Sequence, residues 1–134
     1  MKSASEMANV LIVDDDCGSR NVLQRLFSLK GHSARTVASG SAALATLMDD
    51  LPIPDLIVLD VMMPEMDGYE LLQRIRHDVR LQPVPIVMYS AIGDPAADDR
   101  ARQLGADDFI TKPTSFPEIL TRIARLLPPD PAPS

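Results

Sequence analysis

At 134 residues the chain has the size of one domain, and 46 % hydrophobic residues are enough for one core. Charged residues at 24 % match a globular surface and exclude a disordered or fibrous chain. A net charge of −6 without any lysine or arginine run argues against direct nucleic-acid binding.

Residues 1–8 read as a flexible N-terminus without the apolar run of a secretory signal. Val10-Leu-Ile-Val13 is a buried-strand run that ends in Asp14, Asp15 and Asp16. Cys17 is the single cysteine, so no intrachain disulfide forms; the residue reads as structural, in a reducing, cytoplasmic compartment. A helix over residues 18–30 sets Val22, Leu23, Leu26 and Phe27 at helical spacing, and Gly31 stops it. His32 to Ala38 is a weaker strand. Ser39 then caps a helix through Leu44, Leu47 and Met48 to Asp50, which Pro52 and Pro54 end.

Leu56-Ile-Val-Leu59 is the clearest strand, and it ends in Asp60. Asp67 caps a helix carrying Tyr69, Leu71, Leu72 and Ile75. A fourth strand, Ile86 to Tyr89, ends in Ser90. A helix from Pro95 to Leu104 stops at Gly105. Asp108 to Thr111 is a fifth strand, ending in Lys112-Pro113. The last helix covers Phe116 to Leu127, and residues 128–134 form a proline-rich tail or linker start. No apolar stretch is long enough to span a membrane.

Apolar strands alternating with helices predict a doubly wound parallel sheet covered on both faces, with ligands at the carboxyl ends of the strands. The residues ending those strands are Asp14, Asp15, Asp60, Ser90 and Lys112, and parallel strands bring them to one edge. Three carboxylates in close quarters repel one another, and a hard divalent cation relieves that. Lys112 and Ser90 suit phosphoryl oxygens, and Asp60 suits a carboxylate nucleophile that forms an aspartyl-phosphate. Asp16 reads as exposed or helix-capping rather than metal-binding.

At these positions the sequence closely resembles the receiver domain of two-component response regulators. The segments are Val10-Leu-Ile-Val-Asp-Asp-Asp16, Asp60-Val-Met-Met-Pro-Glu-Met-Asp-Gly68, Pro85-Ile-Val-Met-Tyr-Ser-Ala91 and Gly105-Ala-Asp-Asp-Phe-Ile-Thr-Lys-Pro113. The resemblance implies a flavodoxin-like sheet of order 2-1-3-4-5 with five helices, over residues 9–127. It implies a signalling switch, not a turnover enzyme, in which Asp60 accepts a phosphoryl group from a phosphohistidine. The donor is a sensor histidine kinase or a phosphotransfer protein; charge and the length of the apolar runs, rather than the resemblance, exclude direct nucleic-acid binding and a membrane. Mg2+, or Mn2+ standing in for it, is held by Asp15, Asp60 and the backbone carbonyl of Met62, with Asp14 acting through water. Ser90 and Lys112 contact phosphoryl oxygens. Ser90 and Phe109 form the switch, Phe109 turning inward, and the Lys112–Pro113 peptide is cis.

Two features depart from the family pattern: Phe109 lacks the hydroxyl of the tyrosine found in many receivers, and Ser90 replaces a threonine. Met62 and Ile92, each two residues past a strand-end residue, are apolar and predict slow self-hydrolysis. Other readings stand beside this one, the weakest a flavin-binding domain, for which the first strand–helix turn lacks a phosphate-cradling loop. A pseudo-receiver would bind protein without using its phosphosite. A haloacid-dehalogenase-type phosphatase would use Asp14-Asp15-Asp16 and leave Asp60 idle. Arg100, Arg102, Asp107, Asp108, Arg122 and Arg125 read as a solvated surface, with pairing across a dimer as the other reading.

Overall fold

The computed structural model describes residues 8–49, 52–91 and 93–127. Five strands alternate with five helices: β1 (Asn9–Val13), α1 (Cys17–Leu29), β2 (Ser33–Val37), α2 (Gly40–Met48), β3 (Leu56–Leu59), α3 (Gly68–His77), β4 (Ile86–Ser90), α4 (Pro95–Gln103), β5 (Asp108–Thr111) and α5 (Phe116–Ala124). All strand pairs are parallel, in the order β2-β1-β3-β4-β5. The flavodoxin-like fold is therefore as expected.

Each helix begins at a side-chain cap. Asp16, Ser39, Asp67, Asp94 and Ser115 accept the backbone N–H of Ser19, Ala42, Glu70, Ala97 and Glu118 respectively. Each cap supplies a partner to an amide that the first helical turn leaves open. Gly31 (φ 88°) and Gly105 (φ 113°) take the left-handed turns that end α1 and α4.

The period of two along each strand divides the core in two. Leu11, Val13, Ile57, Leu59, Ile86, Met88 and Phe109 face α2, α3 and α4. Val10, Ile12, Leu56, Val58, Val87 and Ile110 face α1 and α5. Both faces are apolar because both are covered, which explains the unbroken apolar runs.

Some local expectations change. Val22 is 47 % exposed and Met48 is 76 % exposed, so neither belongs to its helix's inner stripe. The buried stripe of α1 is Leu23, Leu26 and Phe27. The last helix ends at Ala124, although Leu127 still packs on the second core. Ala8, which the sequence groups with the N-terminal segment, is buried, and its carbonyl accepts the Ser33 N–H. A short 3-10 turn over Val79–Leu81 was not foreseen. Nor was the role of Arg76, whose guanidinium donates to the carbonyls of Leu81, Gln82, Val84 and Gly105 and pairs with Asp107. The tail over residues 128–134 lies outside the described residues.

Candidate functional site

Backbone hydrogen bonds continue past the strand ends and set the site. Asp14 N–H donates to Val37, Asp60 N–H to Val13 and Lys112 N–H to Ser90. Among the described residues, the buried polar side chains are Asp14, Asp60 and Ser90, and all three lie here. Buried polar groups are costly unless partnered, so their concentration at one edge marks a built site. The exposed Asp15 joins them: one carboxylate oxygen from each of Asp14, Asp15 and Asp60 lies within 4.8 Å of the others.

Lys112 Nζ donates to Asp14 Oδ2 at 2.9 Å and to Ser19 Oγ at 3.2 Å. It also lies 5.0 Å from the centre of the Tyr89 ring. Asp14 is held from its other side, because its Oδ1 accepts the Asp16 N–H at 2.9 Å. Its carbonyl accepts Arg20 Nη1 at 2.8 Å. Asp16 caps α1 and stays exposed, as expected.

Burial, and next the charge of Asp14, push the Asp60 carboxyl above its ordinary range. Lys112, the Ser90 hydroxyl and the Met62 backbone N–H pull the other way without cancelling them. For Lys112 burial favours the neutral amine, but the Asp14 hydrogen bond and the charges of Asp60 and Asp14 outweigh it. The ammonium is thus held charged. Three carboxylates against one ammonium leave the edge electron-rich. The three grouped ligand atoms are all carboxylate oxygens, which fits a hard cation such as Mg2+.

The expected residues Asp14, Asp15, Asp60, Ser90 and Lys112 are brought together. The Lys112–Pro113 peptide is cis. Met62 follows at the rim and is 62 % exposed. Phe109 is 4 % exposed and packs within the first core. Without a hydroxyl, nothing draws that ring toward water. Ile92 lies outside the described residues. Cys17, expected to be structural, is exposed.

Three contributors were missed. Ser19 and Tyr89 contact Lys112, and no local pattern announces either. Gly68 packs against the Asp60 backbone; the Asp-Gly pair at 67–68 was legible as a helix start but not as a neighbour of Asp60. The charged residues on the last two helices and strand are largely paired within the chain. Arg102 pairs with Asp98 and Asp108, Arg122 with Asp108, and Asp107 with Arg76, while Arg100 lies 4.2 Å over the Tyr69 ring.

The family model described as the response regulator receiver domain matches residues 10–124. The chain is 41 % identical over 118 residues to the probable transcriptional regulator ycf27 of Guillardia theta, covering 88 % of this chain and 44 % of that protein. It is 34 % identical to the DNA-binding dual master transcriptional regulator RpaA of Synechocystis, covering 90 % of this chain and 49 % of that protein. The chain thus spans about half the length of these relatives. The crystal structure of the chemotaxis response regulator CheY4 of Vibrio cholerae superposes with a TM-score of 0.84 at 30 % identity, covering 90 % of this chain and 99 % of that one. The Synechocystis regulator is named as DNA-binding, so the expectation of no nucleic-acid binding, drawn from net charge, does not extend to such relatives. Net charge is a property of the segment that carries it, and a basic surface on another segment of such a protein is independent of it. Among the described residues, no helix is long and apolar enough to cross a membrane.

Proposed function

Since the chain belongs to the response regulator receiver domain family, a phosphorylation-dependent switch of two-component signalling, we propose that Asp60 is its phosphoryl acceptor. The carrying observation is the convergence of Asp60 with Asp14, Ser90 and Lys112 on one sheet edge. A carboxylate oxygen of Asp60 attacks the phosphorus of a phosphohistidine on a sensor kinase or phosphotransfer protein. A P–O bond forms and the P–N bond breaks, its electron pair returning to the imidazole nitrogen. Ser90 and Lys112 donate to the phosphoryl oxygens, where charge-assisted hydrogen bonds are strongest.

Asp15, Asp60 and the Met62 carbonyl would hold Mg2+, with Asp14 acting through water; Mn2+ could stand in. The ion supplies charge neutralisation for the carboxylates and the arriving phosphoryl group. Asp60 is charged and reset, not turned over as a catalyst. The matched receiver segment supports a reading that uses Asp60, which the phosphatase reading leaves idle.

The switch is a population shift. Ser90 moves toward the phosphoryl oxygens, and Phe109 repacks within the core beside it. Taking such an equilibrium from mostly off to mostly on needs about 5 kcal/mol of differential interaction, shared between new hydrogen bonds and a partner. The receiver occupies residues 9–127, and we place it in the cytoplasm, where its kinase and its unpaired Cys17 belong.

Incubation with a small phosphodonor and Mg2+, read by intact mass, tests the assignment. A single phosphoryl gain that Asp60→Ala abolishes is expected. No gain in a folded wild-type chain would instead make it a pseudo-receiver.

A further inference from the structure

We propose that Ser19 is a positioning residue for Lys112, holding its ammonium clear of Asp60 until the phosphoryl group arrives; the role rests on the acceptor reading above. Among the described residues, three groups contact the ammonium. Asp14 Oδ2 and Ser19 Oγ accept hydrogen bonds from Nζ at 2.9 and 3.2 Å, and the Tyr89 ring lies 5.0 Å away. Its ion pair is with Asp14. On Asp60 it acts through charge alone.

Ser19 is well placed to act as a fixed anchor. Its own N–H is tied to the Asp16 carboxylate at 2.8 Å in the first turn of α1. Arg20, next in that turn, reaches back to the Asp14 carbonyl at 2.8 Å. The backbone that carries this hydroxyl is therefore tied to the same turn that holds Asp14. An ammonium has three N–H donors. Two are engaged on the α1 side, which leaves one for a phosphoryl oxygen on Asp60 without giving up either anchor.

The arrangement answers a specific problem. A lysine free to collapse onto Asp60 would cover the oxygen lone pairs needed for attack. A lysine free to swing into water would pay its side-chain entropy each time a phosphoryl group arrives. Asp14 alone fixes one point of the ammonium. Ser19 fixes a second and so sets its direction, and misdirection of a clamp by even a small angle slows a reaction that depends on alignment.

The experiment compares wild type, Ser19→Ala, Ser19→Thr and Asp60→Ala in two measurements. The first is the initial rate of phosphoryl gain from acetyl phosphate with Mg2+. The second is solvent exchange of the Lys112 Nζ protons, assigned by loss of the signal in Lys112→Met, without phosphodonor or metal. Ser19→Ala is expected to label about fivefold more slowly, the size of one net hydrogen bond. Its ammonium protons should exchange faster, and Ser19→Thr should restore both. Wild-type labelling or unchanged exchange in Ser19→Ala would overturn the role of Ser19 alone. So would a Ser19→Thr chain that folds but behaves like Ser19→Ala. No phosphoryl gain in wild type would overturn the acceptor reading, and the role of Ser19 with it.

Discussion

Gly68 lies so close beneath Asp60 that a Cβ on it would stand 2.1 Å from the Asp60 carbonyl oxygen. Its N–H donates to the neighbouring Val61 carbonyl at 2.8 Å, which folds the loop after β3 back onto the strand end. The first residue of α3 thereby fixes the backbone that carries the acceptor carboxylate.

Gly68→Ala should therefore push the Asp60 backbone out of place. The obstacle is main chain, which cannot rotate away as a side chain can. A loss of about 1–3 kcal/mol in urea unfolding is expected, together with strongly reduced phosphoryl gain at Asp60. A variant that matches wild type in both would show that the loop yields freely.

Arg76 should matter for stability far from the chemistry. It satisfies carbonyls of Leu81, Gln82, Val84 and Gly105 in two separate loops, at 2.8–3.1 Å. Arg76→Lys keeps the charge but loses the planar fork, and cannot reach these acceptors together. The expected cost is about 2 kcal/mol, since half-buried carbonyls lose their partners. Equal denaturation midpoints for wild type and Arg76→Lys would refute the clamp.

Acid should weaken the fold partly through Asp108. Burial pushes this carboxyl up, but hydrogen bonds from Arg122 and the Phe109 N–H, with the charges of Arg122 and Arg102, outweigh it and leave it below its ordinary value. A carboxyl lowered in the folded state adds stability above its unfolded value, and that stability disappears as pH falls through the folded one. Unfolding midpoints measured from neutral pH down through the carboxylate range should fall more steeply in wild type than in Asp108→Asn. Parallel curves would remove Asp108 from the account.

The phosphorylated state should be long-lived. Met62 stands at the rim with an exposed apolar side chain that can position no attacking water. Met62→Asn adds an amide able to do so, and should shorten the lifetime of the Asp60 phosphoryl group on the order of tenfold. The measurement is loss of the phosphoryl mass after phosphodonor removal, and an unchanged lifetime would sink the idea.

Much of the site was legible because it is built at strand ends. Leu56–Leu59 reads as a buried strand from its own residues, and Asp60 follows it directly. The same holds for Val10–Val13 with Asp14, for Ile86–Tyr89 with Ser90, and for Asp108–Thr111 with Lys112. Local sequence marks where each strand stops, and parallel order does the rest. The Asp16, Ser39 and Asp67 caps were legible too, since a cap bonds an amide only two or three positions ahead.

Residues that act across the fold carry no such mark. Ser19 meets Lys112 over 93 positions of sequence, and Arg76 meets Asp107 over 31. Val22 and Met48 match a helical spacing yet face solvent, because periodicity defines a stripe while packing decides which side of the helix turns inward. Phe109 is aromatic in the sequence, but that its ring already lies inside the core follows from β5 pairing with β4. Sequence determined the order of the strands' apolar runs and the chemistry waiting at their ends, since both depend on near neighbours. Tertiary structure alone decided what holds Lys112, what closes beneath Asp60 and which helix faces remain in water, since those depend on where distant segments meet.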